Sequence, residues 1–338
     1  MNGPFGEFTY HRTLYGINEP VPGPRWQALF RETWPSYRAW YLNRDPDEAP
    51  DLATAVRMLA RHMPELLPTY QRLVELAGGD EVAARMLTQW NLPRFSPGCS
   101  QLAVPGPAPL LCRNYDYSPE LFEYTVISSR FTGRRVLGTG DCLWGLLDGM
   151  NEAGLTMSLA FGGRPGSGRG FAIPLVLRYL LEVCTSTDDV RVALRGLPVA
   201  MSYNVTVVDA TGHTLTIYLD PDEPAEFTTL PLATNHRGEV PEFAETARSL
   251  HSVERRDRLL GMTCWSPGPA DLATAFLSPP LYNTGFSRAF GTLYTALYQP
   301  ADGYVDYCWP GQTWRRHFDD PDATTQITFH EAERTRVR

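Results

Sequence analysis

NLPRFSPGCSQLAVPGPAPLLCRNYDY, residues 91–117, is where the chain changes texture. Its first part, NLPRFSPGCS, carries two prolines and a glycine, a composition suited to an exposed, irregular segment. SQLAVP and PLLCRNYDY follow as short apolar runs parted by turn residues, and they read as strands of an antiparallel sheet. Working downstream, FEYTVISS, CLWGLLDGM and GLTMSLAF read as further strands, and GGRPGSGRG as a flexible loop. PLVLRYLLEVC and DDVRVALRGL read as two helices. YNVTVVDA and HTLTIYLD, joined by a TG turn, form an expected hairpin. Residues 243–260 read as helical, and GTLYTALY and GYVDYCW as a final pair of strands. The order of strands, helices, strands, helix and strands predicts an α+β domain of two sheets with helices outside.

Upstream, the first ninety residues read as mostly helical. Residues 1–20, polar with glycine and proline, suit an extended arm. Trp26, Phe30, Trp34, Tyr37, Trp40 and Tyr41 recur at helical spacing within 25–43. Leu66, Tyr70, Leu73, Val74 and Ala77 repeat the pattern until Gly78 and Gly79 end it, and Asp80 suits the N-cap of the next helix.

The chain has 338 residues, 43% hydrophobic and 20% charged, enough for a sizeable core without disulfides. Its net charge of -8 disfavours a nucleic-acid surface and offers no attraction to an anionic membrane. All 30 basic residues are arginine. Schiff-base lysines, Ser–Lys dyads and the P-loop lysine are therefore excluded. No signal peptide, no eighteen-residue apolar run and no CxxC pair is visible, and the simplest reading is a reduced, cytoplasmic protein. Neither GxSxG nor HExxH occurs, and no metal site is expected.

Cys112, Cys142, Cys184 and Cys308 sit inside apolar runs and read as core. Cys99 differs: Gly98 before it leaves the preceding carbonyl sterically open, so it reads either as another small packing residue or as a reactive thiol. Arg113 and Asp116 are three apart, on opposite faces of any regular strand. Either the strand bulges there, or the two form a surface ion pair. DGMNEAGL, residues 148–155, suits a tight turn. ATNHRGE, residues 233–239, is a polar turn, with His236 structural rather than a metal ligand, and SVERRDRLL sets Arg255 and Arg258 one helical turn apart.

Taken in order, Gly98-Cys99-Ser100, Arg113-Asn114-Tyr115-Asp116, Asp148 to Leu155, Thr234-Asn235-His236 and Ser252…Arg255…Arg258-Leu259 resemble the N-terminal-nucleophile hydrolases of the isopenicillin N acyltransferase, acid ceramidase and choloylglycine hydrolase type. GTLYTALYQPADG is similar to the acyltransferase branch, and the resemblance spans roughly residues 90–312.

The resemblance implies a four-layer αββα sandwich preceded by a helical segment. It implies cleavage between Gly98 and Cys99, leaving residues 1–98 as a bound partner fragment and 99–338 as the catalytic domain. Cys99 would be the nucleophile and its freed α-amine the base. Arg113 would hold the thiol ionised, Asp116 orient the amine, Asn235 donate to the oxyanion, and Arg255, or Arg258 in a shifted register, complete the network. Relatives take a second oxyanion donor from an asparagine after this turn. Here Ser158 to Gly162 has none, which leaves a backbone N–H of Phe161 or Gly162. The expected substrate is a small acyl amide, with a coenzyme A or carrier-protein thioester as a further acyl donor and no bound cofactor. The rival expectation is an uncut, inactive relative that only binds acyl amides or a partner.

Overall fold

Strand residues alternate between two faces. In the computed structural model the apolar runs form two sheets stacked on their inner faces. Residues 9–44, 49–95, 98–288 and 290–331 are described; the start of the expected arm, 1–8, and Ser96-Pro97 of the irregular segment lie outside them. The smaller sheet runs β11 (Leu232–Ala233), β2 (Gly98–Val104), β3 (Leu110–Tyr117), β12 (Gly291–Gln299), β13 (Tyr304–Trp309), β14 (Gln312–His317). The larger sheet has nine strands, in the order β10 (Glu226–Thr228), β9 (Thr214–Leu219), β8 (Tyr203–Val208), β7 (Thr156–Phe161), β6 (Gly145–Asn151), β5 (Val136–Asp141), β4 (Thr125–Ser129), β1 (Thr9–Asn18), β15 (Ala323–His330).

Helices cover both outer faces, giving the expected αββα layering. α5 (Ile173–Val183) lies over β6 and β7, where Gly149 lets Leu181 approach. α8 (Ser252–Met262) and α9 (Pro269–Phe276) cover the smaller sheet. There Leu102, Val104, Leu110 and Cys112 meet Leu259, Met262, Leu272 and Phe276 in a separate apolar cluster. Burying each of these leucines is worth about 1.5–3 kcal/mol.

Ahead of β2 come α1 (Pro24–Leu42), α2 (Leu52–His62), α3 (Leu67–Leu76) and α4 (Glu81–Leu87). The expected cap is present, with Asp80 accepting from the Ala83 N–H at 2.7 Å. Trp26, Phe30 and Trp34 stack one turn apart along α1, with ring centroids 5.3 and 5.2 Å apart. The Trp26 indole donates to the Leu143 carbonyl at 2.8 Å, docking the helix on the sandwich.

Three expectations change and one strand is added. Residues 9–18 are not a loose arm: β1 inserts between β4, to which it is parallel, and β15, to which it is antiparallel. The segment before Cys99 therefore contributes a strand as well as helices. VLGTGD forms β5, with Gly138 and Gly140 packed so closely on Asp148 and Thr125 that a Cβ would fall 2.2 and 2.4 Å from them. GYVDYCW is not the last strand, since β14 and β15 follow with one face exposed. The helix expected over 243–260 breaks at His251, whose φ of 49° is left-handed, into α7 (Ala244–Ser249) and α8.

Candidate active site

β2 presents Cys99 at its second position, with Tyr115 of β3 directly opposite. Pleating sends Cys99, Arg113 and Tyr115 to the inner face, between the sheets, and Ser100, Asn114 and Asp116 to the helix side. The contacts agree: Arg113 pairs with Asp148 of the opposite sheet, whereas Asn114 donates to the Phe276 and Leu281 carbonyls under α9. Arg113 and Asp116 thus do lie on opposite faces, and neither is at the surface. The bulge sits on the partner strand, where register shifts between Thr292 and Tyr294 of β12, while β3 stays regular. Arg113 reaches the Cys99 thiol from the shared inner face, whereas Asp116 lies across from Gly98 and acts on Cys99 only through its charge.

Cys99 is fully buried. The Arg113 Nη2 donates to its Sγ at 3.3 Å. Burial pushes the thiol up, and Arg113 is the strongest opposing influence. Arg113 is itself held by Asp148 and, at 2.7 Å, by the Tyr294 hydroxyl. Asp148 also accepts from Thr139, Tyr294 and Tyr298. This buried anchor is hidden in the sequence, because DGMNEAGL reads as a turn. It lies on β6, and the turn begins after Asn151. Asn151 is structural: its amide donates to the Leu181 and Cys184 carbonyls, and its oxygen accepts from the Ala153 and Leu155 N–H groups.

On the other flank, Asn235 follows β11. The Ser252 hydroxyl at the start of α8 accepts from its backbone N–H at 2.8 Å. Arg255, one turn further along the same helix face, donates through Nη2 to Asn235 Oδ1 at 2.6 Å and through Nη1 to the Cys99 carbonyl and, at 2.9 Å, to Ser100 Oγ. Asn235 Oδ1 also accepts from the Cys99 N–H at 3.1 Å. Two donors on that oxygen leave the amide only one orientation. Its Nδ2 donates to the Phe161 carbonyl at 2.8 Å. Gly163, with φ of 88°, lets the exit of β7 pass over this turn, since a Cβ there would fall 2.2 Å from the Asn235 carbonyl oxygen.

Asp116 stands beside Gly98, its cross-strand partner. Its Oδ1 accepts from the Thr292 hydroxyl at 2.7 Å and its Oδ2 lies 3.9 Å from Arg255. Burial raises this carboxyl to about 6, against the pull of Arg255, Thr292 and Arg113. Arg258 points to solvent, so Arg255 is the arginine present at this cluster. His236 bonds Ser252 at 2.6 Å, and burial together with Arg256 and Arg255 lowers it to about 4, leaving it neutral. Of the two backbone donors considered, Gly162 N–H is taken by the Ser202 carbonyl at 2.9 Å, and Phe161 offers its carbonyl to Asn235. In this state Gly162 presents no donor to the thiol.

Two cavities reach this cluster. Phe161 and Leu250, whose carbonyls Asn235 and Arg255 hold, line one of about 360 Å³ together with Arg94 and Met201. Asp116 and Arg255 line another of about 300 Å³ with Tyr282. Among the described residues no group of His, Cys, Asp and Glu suits a metal ion, and no helix is long and apolar enough to cross a membrane.

No curated protein matches the chain. Among solved structures it is similar to a mutant conjugated bile acid hydrolase from Clostridium perfringens, at 14% identity and a TM-score of 0.45, covering 71% of this chain and 100% of that one. It is also similar to the Caenorhabditis elegans ortholog of N-acylethanolamine-hydrolyzing acid amidase, at 12% identity and 0.44, covering 60% and 93%. Penicillin V acylase from Agrobacterium tumefaciens follows at 13% and 0.40, covering 62% and 82%. The family model of acyl-coenzyme A:6-aminopenicillanic acid acyl-transferase matches residues 105–314, which takes in Arg113, Asp116, Asn235 and Arg255 and begins just after Cys99. That match covers more than half of the 338 residues, and the chain belongs to the acyl-coenzyme A:6-aminopenicillanic acid acyl-transferase family.

Proposed function

We propose that Cys99 is the nucleophile of an amide-cleaving or acyl-transferring reaction, and that it is freed by self-cleavage of the Gly98–Cys99 bond. The observation that carries this reading is the guanidinium of Arg113, 3.3 Å from the thiol and anchored from behind by Asp148. A fixed cation beside a thiol favours the thiolate, and here Arg113 is the group that opposes the upward push of burial.

In self-cleavage the Cys99 sulfur attacks the Gly98 carbonyl carbon. The thiol proton passes to the Cys99 nitrogen as the C–N bond breaks, leaving a thioester that water hydrolyses. Gly98 keeps the attacked carbonyl free of a neighbouring side chain. In the mature form the α-amine of Cys99, with an ordinary pKa of about 7.7–8.0, takes the thiol proton. Asn235 Oδ1, already within reach of that nitrogen, accepts from the amine, and Asp116 and Arg255 set the charge around it. The thiolate attacks the substrate carbonyl, and the protonated amine returns its proton to the departing amine. Water or a second amine then takes the acyl group from sulfur. A coenzyme A or carrier-protein thioester enters the same cycle as donor. A donor to the tetrahedral oxyanion is typically worth about 10²–10³ in rate, and Asn235 Nδ2 takes that role by exchanging its bond to Phe161.

The test is a denaturing gel with intact mass measurement of the pure protein, followed by a panel of acyl amides read by released amine. Fragments of 98 and 240 residues, the two parts of 338, with activity on the panel are expected. Cys99→Ala should remain one chain and be inactive. A cut, active Cys99→Ala protein overturns the reading, and a wild-type chain that stays intact and idle favours a binding protein that turns nothing over.

A further inference from the structure

A third cavity, of about 340 Å³, opens beside the Cys99 end of β2 and plays no part in the chemistry above. Its walls are Tyr37 and Trp40 of α1, Phe95 and Tyr117, and its floor holds Glu123 and Asp141. No lining side chain among the described residues is basic. The Tyr37 hydroxyl bridges the two acids, donating to Glu123 and lying 3.2 Å from Asp141 Oδ1. Glu123 Oε1 also accepts from the Leu143 N–H at 2.6 Å, but its Oε2 is closed to solvent and has no hydrogen-bond partner. Asp141 is only 8% exposed. Half-buried Glu123 and buried Asp141 face one cavity with no basic residue in its lining, and Asp141 feels only the charge of Arg113 beyond it, so ionising both is costly. Burial pushes both carboxyls up, and the Asp141 charge raises Glu123 further.

We infer that this cavity binds an organic ammonium group of the substrate, with the charge on Glu123 and Asp141 and the apolar body against the aromatic walls. A primary ammonium on the cavity floor compensates the charge of Glu123 and donates to Asp141, and the ring faces of Trp40 and Tyr117 attract the same cation. A volume of about 340 Å³ fits a small arylalkyl amine. The cavity also lies in line with the nucleophile. Tyr115 faces Cys99 across the ladder, and Tyr117 stands two residues further on the same face, about 7 Å along the strand. Phe95, in the segment that leads to Gly98, packs 6.2 Å from Tyr203 and closes the cavity on that side. Resting on the proposed acyl transfer at Cys99, this assigns the substrate class: acyl amides, or acyl-accepting amines, that carry an aromatic or alkyl ammonium group.

The experiment is calorimetric titration of the full chain with phenethylamine hydrochloride, 2-phenylethanol and potassium chloride at pH 8. Phenethylammonium is expected to bind at least tenfold more tightly than the neutral alcohol, and Glu123→Gln and Asp141→Asn each to weaken it at least tenfold while changing the alcohol less than twofold. If either variant fails to fold, Trp40→Ala replaces it and should weaken both organic probes. Equal affinity for ammonium and alcohol, unchanged affinity in the variants, or displacement by potassium at the same concentration overturns the inference. An uncut, inactive chain that binds the ammonium sinks the chemistry at Cys99 alone. A cut, active enzyme indifferent to the charge sinks this inference alone.

Discussion

Two arginines of this sandwich, Arg113 and Arg178, are completely buried and paired with carboxylates. Arg178 on α5 meets Glu182 one turn away at 3.3 Å, Ser129 at 2.6 Å and the Trp144 carbonyl at 3.0 Å, with its guanidinium 4.5 Å from the Phe131 ring centroid. It bonds a carboxylate, a hydroxyl and a carbonyl, which makes it a strut between a helix and a sheet. Arg113 has the same burial and a similar ring contact, 4.7 Å from Tyr115, but spends one nitrogen on a thiol. Burial and pairing alone do not mark a site. What distinguishes Arg113 is that its charge is delivered to a thiol, the group proposed to ionise and attack.

The sharpest way to break this contrast is to remove each cation. Arg113→Met is expected to lower turnover per folded molecule by about 10²–10³. Arg178→Met should leave turnover per folded molecule near wild type. Each change strands a buried acid and costs about 3–5 kcal/mol of stability, so thermal melts should fall together while activity, corrected for folded fraction, separates the pair. Equal activities would mean that Arg113 is a strut too.

Asp148→Asn comes next. It keeps the hydroxyl contacts of Tyr294 and Tyr298 but removes the charge behind Arg113, and a tenfold fall in turnover is expected. Thiol alkylation followed against pH should show the thiol's titration displaced, whereas Glu182→Gln should leave that titration where it is.

Asp116 sharpens the comparison through pH. Its folded carboxyl sits at about 6, above the ordinary 3.8. The native state therefore keeps a proton between pH 4 and 6 that the unfolded chain has lost, so this group's contribution to stability declines as pH rises through that window. Asp116→Asn should accordingly melt a few degrees higher than wild type at pH 7 while losing activity, and the acid limb of the wild-type profile near pH 6 should vanish. A variant less stable at pH 7 would contradict the burial argument.

The smallest effect concerns Gly98. A Cβ there would fall 2.4 Å from the Phe290 ring. Gly98→Ala should slow chain cleavage several-fold on a time-course gel, and adding Phe290→Ala should restore it.

The residues around Cys99 were legible in the sequence as an ordered set of short motifs that resembles a family, while each motif taken singly stayed ambiguous. Ser252 and Arg255 share one face of a helix, and Gly98 precedes a strand. The residues that hold these in place were harder to read. Asp148 lies in a strand with glycine on its helix side, so the segment reads as a turn. Tyr294 reads as one more apolar strand residue until Arg113 is seen across the sheet. β1, β14 and β15 carry polar or exposed side chains on one face, and β1 and β15 pair with each other across some 300 residues, whereas β14 pairs with the adjacent β13. The cavity acids, Glu123 and Asp141, are brought together only by tertiary structure.

β1 carries one further consequence. Its register with β15 runs from Thr9 to Gly16, and with β4 from Tyr15 to Asn18. A cut after Gly98 would turn one chain into two without freeing either, because the upstream piece is woven into the sheet of the downstream piece. Residues 99–338 made alone would expose the raw edges of β4 and β15, a template for strand addition between molecules. The two pieces would then behave as a heterodimer that can be assembled only once, with the order of events, folding first and scission second, written into the strand order.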